Sequence, residues 1–380
     1  MKAFASTPQA PQRYVTSDLA TVAPFVRNAL NLRLAMRCVL AAAAPCVIMA
    51  LYNTGYQVNL AATQGISLTG WRSQLLGTLG LGHSPKSALD CMALGALFFG
   101  PILAAAWLAA GLLEESFARA RGRRADHLAL SVTAVLFSLC LPATLPLWQA
   151  AVGCAIGVGV GREIFGGFGR NFVNPVVVGL AFLYFAYPGA LSGDSVWVPV
   201  PGHIGPTPLA VASRAGLEGV SAAGFAWSTT ALGWVPGAMG ETSALACLVG
   251  LAVLLHTGVA SWRIVVGGCL GLVAGVCALQ GMDVQSPMAD LPWHWHLASG
   301  SFAFGLIYLA TDPVTAAATN PGRWLYGALI GSFVAVVRIA NPAYEEGVIL
   351  AVLMGNVSAP LLDRIVGLAQ MRRNRVSHGR

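Results

Sequence analysis

Uninterrupted apolar runs recur along this sequence and restrict its possible folds more than any other feature. Residues 92–113, 246–255, 264–279 and 324–337 carry no charged side chain, and several reach or approach the roughly 20 residues an α-helix needs to cross a bilayer. Only 10% of the 380 residues are charged and 56% are hydrophobic, whereas a water-soluble domain carries roughly a quarter charged residues. The chain therefore reads as an all-α polytopic membrane protein. Spans are expected at about 34–53, 90–113, 128–141, 147–161, 173–189, 243–257, 262–280, 295–311, 323–339 and 346–361. The first 31 residues are polar and mixed, so no cleavable signal pattern is written there, and the first helix is expected to stay as an anchor.

Ten spans put both ends on one side. Eighteen of the 22 Lys and Arg residues then fall on the side of the termini, leaving Arg72, Lys86, Arg214 and Arg338 on the other. That asymmetry places the termini in the cytoplasm. It also explains the net charge of +7 as a topology signal, so nucleic acid is not an expected partner. The eight cysteines lie in or beside apolar runs without a CxxC pair, so neither a disulfide framework nor a metal centre is expected.

The resulting organisation is a cytoplasmic segment (1–33), a first five-helix unit (34–189), an outer, periplasmic loop (190–242), a second five-helix unit (243–361) and a basic cytoplasmic tail (362–380). The two units share landmarks. Leu141-Pro142 with Thr144, Trp148 and Asn174-Pro175 in the first match Asp312-Pro313 with Thr315, Trp324 and Asn341-Pro342 in the second. Five is odd, so two such units would lie inverted, as in transporters whose substrates bind between broken helices.

The densest chemical constellation runs from Gly161 through Arg162, Glu163, Phe165, Gly166, Gly167 and Arg170 to Asn174-Pro175, on the cytoplasmic side. Its glycines allow close backbone approach, its Phe residues offer flat apolar surface and its charges offer polarity, which suits an aromatic headgroup or a flavin; a tight interhelical turn is the plainer reading. Asp312 and Asp363 lie near helix ends beside apolar stretches, where acids are costly and often serve cation handling or pair with a base. His294 and His296, set between tryptophans, mark the outer interface rather than a metal site.

These segments together resemble the family of the B subunit of the Na⁺-translocating NADH:quinone oxidoreductase, with the D subunit of the Rnf ferredoxin:NAD complex as a more distant relative. The likeness is carried by Glu163-Ile-Phe-Gly-Gly-Phe-Gly-Arg-Asn171, Asn174-Pro175, Phe185-Ala-Tyr-Pro188, Pro236-Gly-Ala-Met-Gly-Glu241, Ala260-Ser-Trp-Arg263, Pro292-Trp-His-Trp-His296, Ala310-Thr-Asp-Pro313 and Asn341-Pro-Ala-Tyr344. It implies a ten-helix, urea-transporter-like member of a six-subunit translocase that passes electrons from NADH through flavin to ubiquinone, coupled to Na⁺ export, and that is not active alone. By the resemblance, Phe165, Gly166 and Gly167 lie near the quinone, Glu163, Asp312 and Asp363 belong to the ion path, and a riboflavin accompanies the subunit. The family also joins FMN covalently to a threonine, through a flavin transferase that reads Asp-x-x-Ser/Thr-Gly-Ala-Thr. The threonine here is Thr207, but the motif reads Pro201-Gly-His-Ile-Gly-Pro-Thr207. Two alternatives stay open: a non-redox channel or carrier on the same scaffold, and a diverged subunit without covalent FMN.

Overall fold

The computed structural model describes residues 32–66, 70–282, 284–341 and 345–378, with side chains as far as Arg372. The cytoplasmic segment up to Asn31, and Pro342 and Tyr344 of the second Asn-Pro landmark, lie outside the described residues.

Among the described residues all regular structure is helical. In chain order the α-helices are α1 (Leu32–Thr63), α2 (Trp71–Thr78), α3 (Ala88–Ala120), α4 (His127–Leu139), α5 (Leu147–Val158), α6 (Pro175–Ala186), α7 (Pro208–Ala222), α8 (Trp227–Leu232), α9 (Ala244–His256), α10 (Trp262–Gly281), α11 (Trp293–Ala298), α12 (Phe302–Phe304), α13 (Asn320–Ala340) and α14 (Val348–His378). Two widened π turns, Gly159–Glu163 and Gly305–Leu309, continue α5 and α12. Their starts are written in the sequence. Ser87, Asp126, Asn174, Ser243 and Thr319 each accept a backbone N–H from the first turn of the helix that follows, meeting donors that the helix cannot satisfy itself.

Among the described residues five helices, α1, α3, α10, α13 and α14, are long and apolar enough to cross a membrane. The apolar helices α4, α6 and α9 have 13, 12 and 13 residues, about 18–20 Å of rise against a hydrocarbon core of about 30 Å. Backbone that leaves a helix at membrane depth must be enclosed by protein, and Leu139, Leu141 and Val173, which flank these breaks, are buried.

Close helix contacts run through glycine. Along the α10–α13 seam, a Cβ on Gly271 would stand 2.2 Å from the Ala328 carbonyl oxygen and one on Gly331 2.0 Å from that of Gly268. The α1–α3 contact is equally tight: a Cβ on Gly95 would meet the Leu51 carbonyl oxygen at 1.8 Å. Between helices in lipid the hydrophobic effect gives little, so backbone approach of this kind supplies the packing.

Segment 190–242 differs from the open loop that its Gly, Pro and Ser content suggests. It folds into α7 and α8, and Val198, Val200, Leu209, Ala212 and Val220 are buried. The composition misleads because its breaking residues flank helices: Thr207 caps α7 and Pro208 starts it.

Candidate functional site

The site is assembled at one end of the bundle, where α3 ends, the π turn after α5 unwinds, and the glycine-rich connection 164–174 leads into α6. A π turn carries one residue more than an α turn and often marks functional sites. Here it keeps two adjacent charged residues inside. Arg162 and Glu163 have side chains 1% and 0% exposed, and Arg162 pairs with Glu114 of α3 at 2.5 Å, itself 1% exposed. Glu114 also accepts the Asp126 N–H at 2.8 Å. Arg123 donates to the Glu163 carboxylate, and Arg121 donates to the Glu163 carbonyl at 2.6 Å. Three arginines and two glutamates thus form one network in which each buried charge has a partner of opposite sign, and the one excess positive charge falls among the partly exposed Arg121 and Arg123.

Gly166 and Gly167 follow with φ of 113° and 98°, a region that L side chains avoid. A Cβ on Gly167 would stand 2.9 Å from the Arg123 guanidinium. Substituting it would therefore disturb the Glu163 cluster as well as any headgroup beside it. Phe165 and Phe172, each 41% exposed, meet edge to face at 4.7 Å and leave aromatic surface open beside the charges.

Beside the charge cluster lies a cavity of about 50 Å³, lined among others by Arg162, Asn171, Asn174, Tyr308, Thr311 and Asp312. A water needs on the order of 10–15 Å³ by this measure, so the space suits a few waters or one partly hydrated ion, while ligand pockets begin near 300 Å³. Asn174 ties its walls together. Its N–H donates to Asn356 Oδ1 at 2.9 Å, Asn356 donates to the Tyr326 hydroxyl at 2.7 Å, and its own amide donates to the Leu309 carbonyl at 3.3 Å. Asp312 accepts from the Val314 N–H and the Thr315 hydroxyl, each at 3.2 Å.

The expected ion-path residues are therefore not gathered in one place. Asp312 lines the cavity; Glu163 lies in the charge cluster one residue from Arg162, which lines it. Asp363 is engaged elsewhere: it accepts the Ala318 and Thr319 N–H groups at 2.7 and 2.9 Å, together with the Thr319 hydroxyl, and so fastens the segment that starts α13. Glu114 and Asn356 are site residues that the sequence alone does not single out. The adjacent acids Glu114-Glu115 at the end of an apolar run are the available signal for the first; a lone Asn inside a hydrophobic helix is a weaker one for the second.

Thr207 lies apart, in the 190–242 segment. It is 7% exposed, and its hydroxyl accepts the Ala210 N–H at 3.0 Å. The cavity beside it measures about 30 Å³ and is shared with Glu241 and Glu346, the latter held by the Ser301 N–H and hydroxyl at 2.9 and 2.7 Å. A phosphate needs donors rather than carboxylates. The residues around Thr207 do not fit covalent FMN. The expected result is that the denatured chain, co-expressed with a flavin transferase, shows no in-gel flavin fluorescence; a fluorescent band abolished by Thr207→Ala would overturn this.

Comparison with known proteins adds an independent line. A model of the NQR2, RnfD, RnfE family matches residues 19–372. A protein of Azotobacter vinelandii, named as the B subunit of a Na(+)-translocating NADH-quinone reductase, is 45% identical over 370 residues, covering 95% of this chain and 90% of that protein. Proteins of the same name from Pseudomonas aeruginosa and Chromohalobacter salexigens are each 43% identical, over 96% and 92% of this chain and 92% and 85% of theirs.

Proposed function

The chain belongs to the NQR2, RnfD, RnfE family, and on that premise we propose that it serves as the B subunit of a Na⁺-translocating NADH:quinone reductase. It is a membrane component of an enzyme complex, working with other subunits that oxidise NADH. The finer reading puts it in a bacterial inner membrane with both termini cytoplasmic, in a six-subunit assembly that contains riboflavin and reduces ubiquinone. Ten spans are arranged as two inverted units, 34–189 and 243–361, joined by the outer segment 190–242 and followed by the tail 362–380.

Contacts between side chains support this topology. Arg33 with Asp126, Arg121 with Glu163 and Thr319 with Asp363 join residues that the charge asymmetry puts inside. Arg214 with Asp194, Ser213 with Glu345 and Trp227 with His294 join residues that it puts outside. The inverted units gain support from two buried cations at matching stations: Arg162 closes the fourth span of the first half and Arg338 that of the second, 1% and 0% exposed.

In this reading the open Phe165–Phe172 pair presents the face on which a quinone headgroup stacks, with Gly166 and Gly167 leaving room for it. The ion path runs through the small cavity, where Asp312 and the side-chain oxygens of Asn171 and Asn174 line the wall, and Asp363 shapes the path by holding the segment before α13. The observation that carries this division is size: about 50 Å³ admits an ion and excludes a quinone. In this reading no flavin is joined to Thr207 and electrons reach the quinone from flavin held elsewhere in the complex, as in a diverged form of the subunit.

Two variants of the assembled complex test the assignment. Phe165→Ala is expected to raise the KM for quinone about 2- to 10-fold, the value of one aromatic contact, with an unchanged Na⁺ titration. Asp312→Asn is expected to remove most Na⁺ stimulation of turnover, with quinone KM preserved. A wild-type Na⁺ titration in the second variant would take Asp312 out of the path, and an unchanged KM in the first would take Phe165 out of the quinone site.

A further inference from the structure

The outer face carries a cation that the proposed activity does not use. Arg72, in the first turn of α2, lies across two aromatic rings, 4.7 Å from the Trp71 centroid and 4.2 Å from that of Phe98. Its Nε donates to the Leu97 carbonyl at 3.0 Å. That carbonyl is available because Pro101, four residues on in α3, has no N–H to offer it. The arginine is thus fixed by the fold against α3.

No carboxylate among the described residues lies within salt-bridge distance of Arg72. The other outer cations differ: Arg214 holds Asp194 through two hydrogen bonds of 2.5 and 3.0 Å, Arg338 donates to the carbonyls of His296, Ser299 and Glu346, and Lys86 is exposed. Burial pulls the pKa of Arg72 down from its ordinary value, though an arginine remains charged at any physiological pH.

This cation borders a groove of about 680 Å³ whose other walls are mostly apolar, among them Phe98, Ile102, Leu147, Val198 and Ile204. The volume lies within the range for small-molecule sites. The position of α2 says what reaches it. Trp71, Leu75 and Leu79 repeat every four residues and are 54%, 39% and 63% exposed, while Leu76 on the other side is fully buried. A short helix with such a stripe lies in the membrane interface with its apolar residues in the acyl boundary, and Trp belongs to the same depth. Arg72 is then level with lipid phosphates.

We propose that the groove beside Arg72 is a binding site for an anionic phospholipid, its phosphate held by the Arg72 guanidinium and one acyl chain laid along Phe98, Ile102, Leu147 and Val198. Guanidinium matches phosphate oxygens in pairs, and the bond is charge-assisted. The apolar walls favour an amphiphile over free phosphate.

The test uses the full chain in detergent, with bound lipid read by native mass spectrometry. The probes are dihexanoyl phosphatidylglycerol, dihexanoyl phosphatidylcholine and inorganic phosphate. Wild type is expected to bind the phosphatidylglycerol at least tenfold more tightly than the phosphatidylcholine, and inorganic phosphate is expected not to compete at equal concentration. Arg72→Gln should remove that preference, whereas Lys86→Gln, which removes an exposed charge from the same side, should keep it. Ile204→Trp, at an exposed position on the groove wall, should weaken both lipids without touching Arg72. Equal affinity of wild type and Arg72→Gln for phosphatidylglycerol overturns the site, as does an Ile204→Trp variant that binds both lipids like wild type. Competition by inorganic phosphate as strong as that by the lipid overturns the lipid assignment.

Discussion

Arg162→Met is expected to cost the folded chain about 3–5 kcal/mol, because it leaves Glu114 buried at 1% exposure without its cation. The Asp126 N–H still reaches Glu114, but one backbone donor does not replace a full charge. Removing both partners is a different matter, since a buried pair exchanged for neutral groups of similar size is often close to neutral. The double variant Glu114→Gln with Arg162→Met should therefore recover at least half of the loss. Equilibrium unfolding in mixed detergent measures all three chains. A single variant within about 1 kcal/mol of wild type, or a double variant as unstable as the single, would mean that this pair does not hold α3 to the π turn.

Gly331→Val should be nearly as damaging, for a steric reason. Its Cβ would lie 2.0 Å from the Gly268 carbonyl oxygen, a backbone atom that cannot rotate away. Separating α10 from α13 to admit the side chain forfeits contacts along the whole seam, so a loss of about 3 kcal/mol or more is expected, at or beyond the upper end for overpacking. Gly281→Ala, at the end of α10 with nothing within 4 Å of its Cβ position, is the matched control and should be near neutral. Size-exclusion profiles of the solubilised chains decide it: recovery of Gly331→Val equal to the control would show that the seam has slack.

The sequence makes the long apolar helices visible because hydropathy integrates over many residues, and each of the expected spans overlaps a helical segment. It does so less well for the helices of 190–242, where short elements leave little periodic signal and Gly and Pro dominate the impression. The glycine seams are legible in principle, since Gly267, Gly271 and Gly275 repeat every four residues in α10 and Gly327 and Gly331 do so in α13. Glu163 stands out by its local motif. Its neighbour Glu114 does not, because what makes it part of the site is Arg162, 48 residues away, and pairing at that distance has no local pattern. Asp363 stands out as an acid near a membrane, but its three donors from 318–319 are no more legible, since they lie 44 or 45 residues away.

The hydrogen bond from the Asn174 N–H to Asn356 has a consequence for biosynthesis. Its partners are 182 residues apart, and chains grow at about 5–20 residues per second. From the moment Asn174 leaves the ribosome, on the order of ten to forty seconds pass before Asn356 exists. The local cap of α6 forms without it, but the Asn174 N–H must wait through that interval for its acceptor, so the first half of the molecule reaches its final form only when the last helix arrives to finish it.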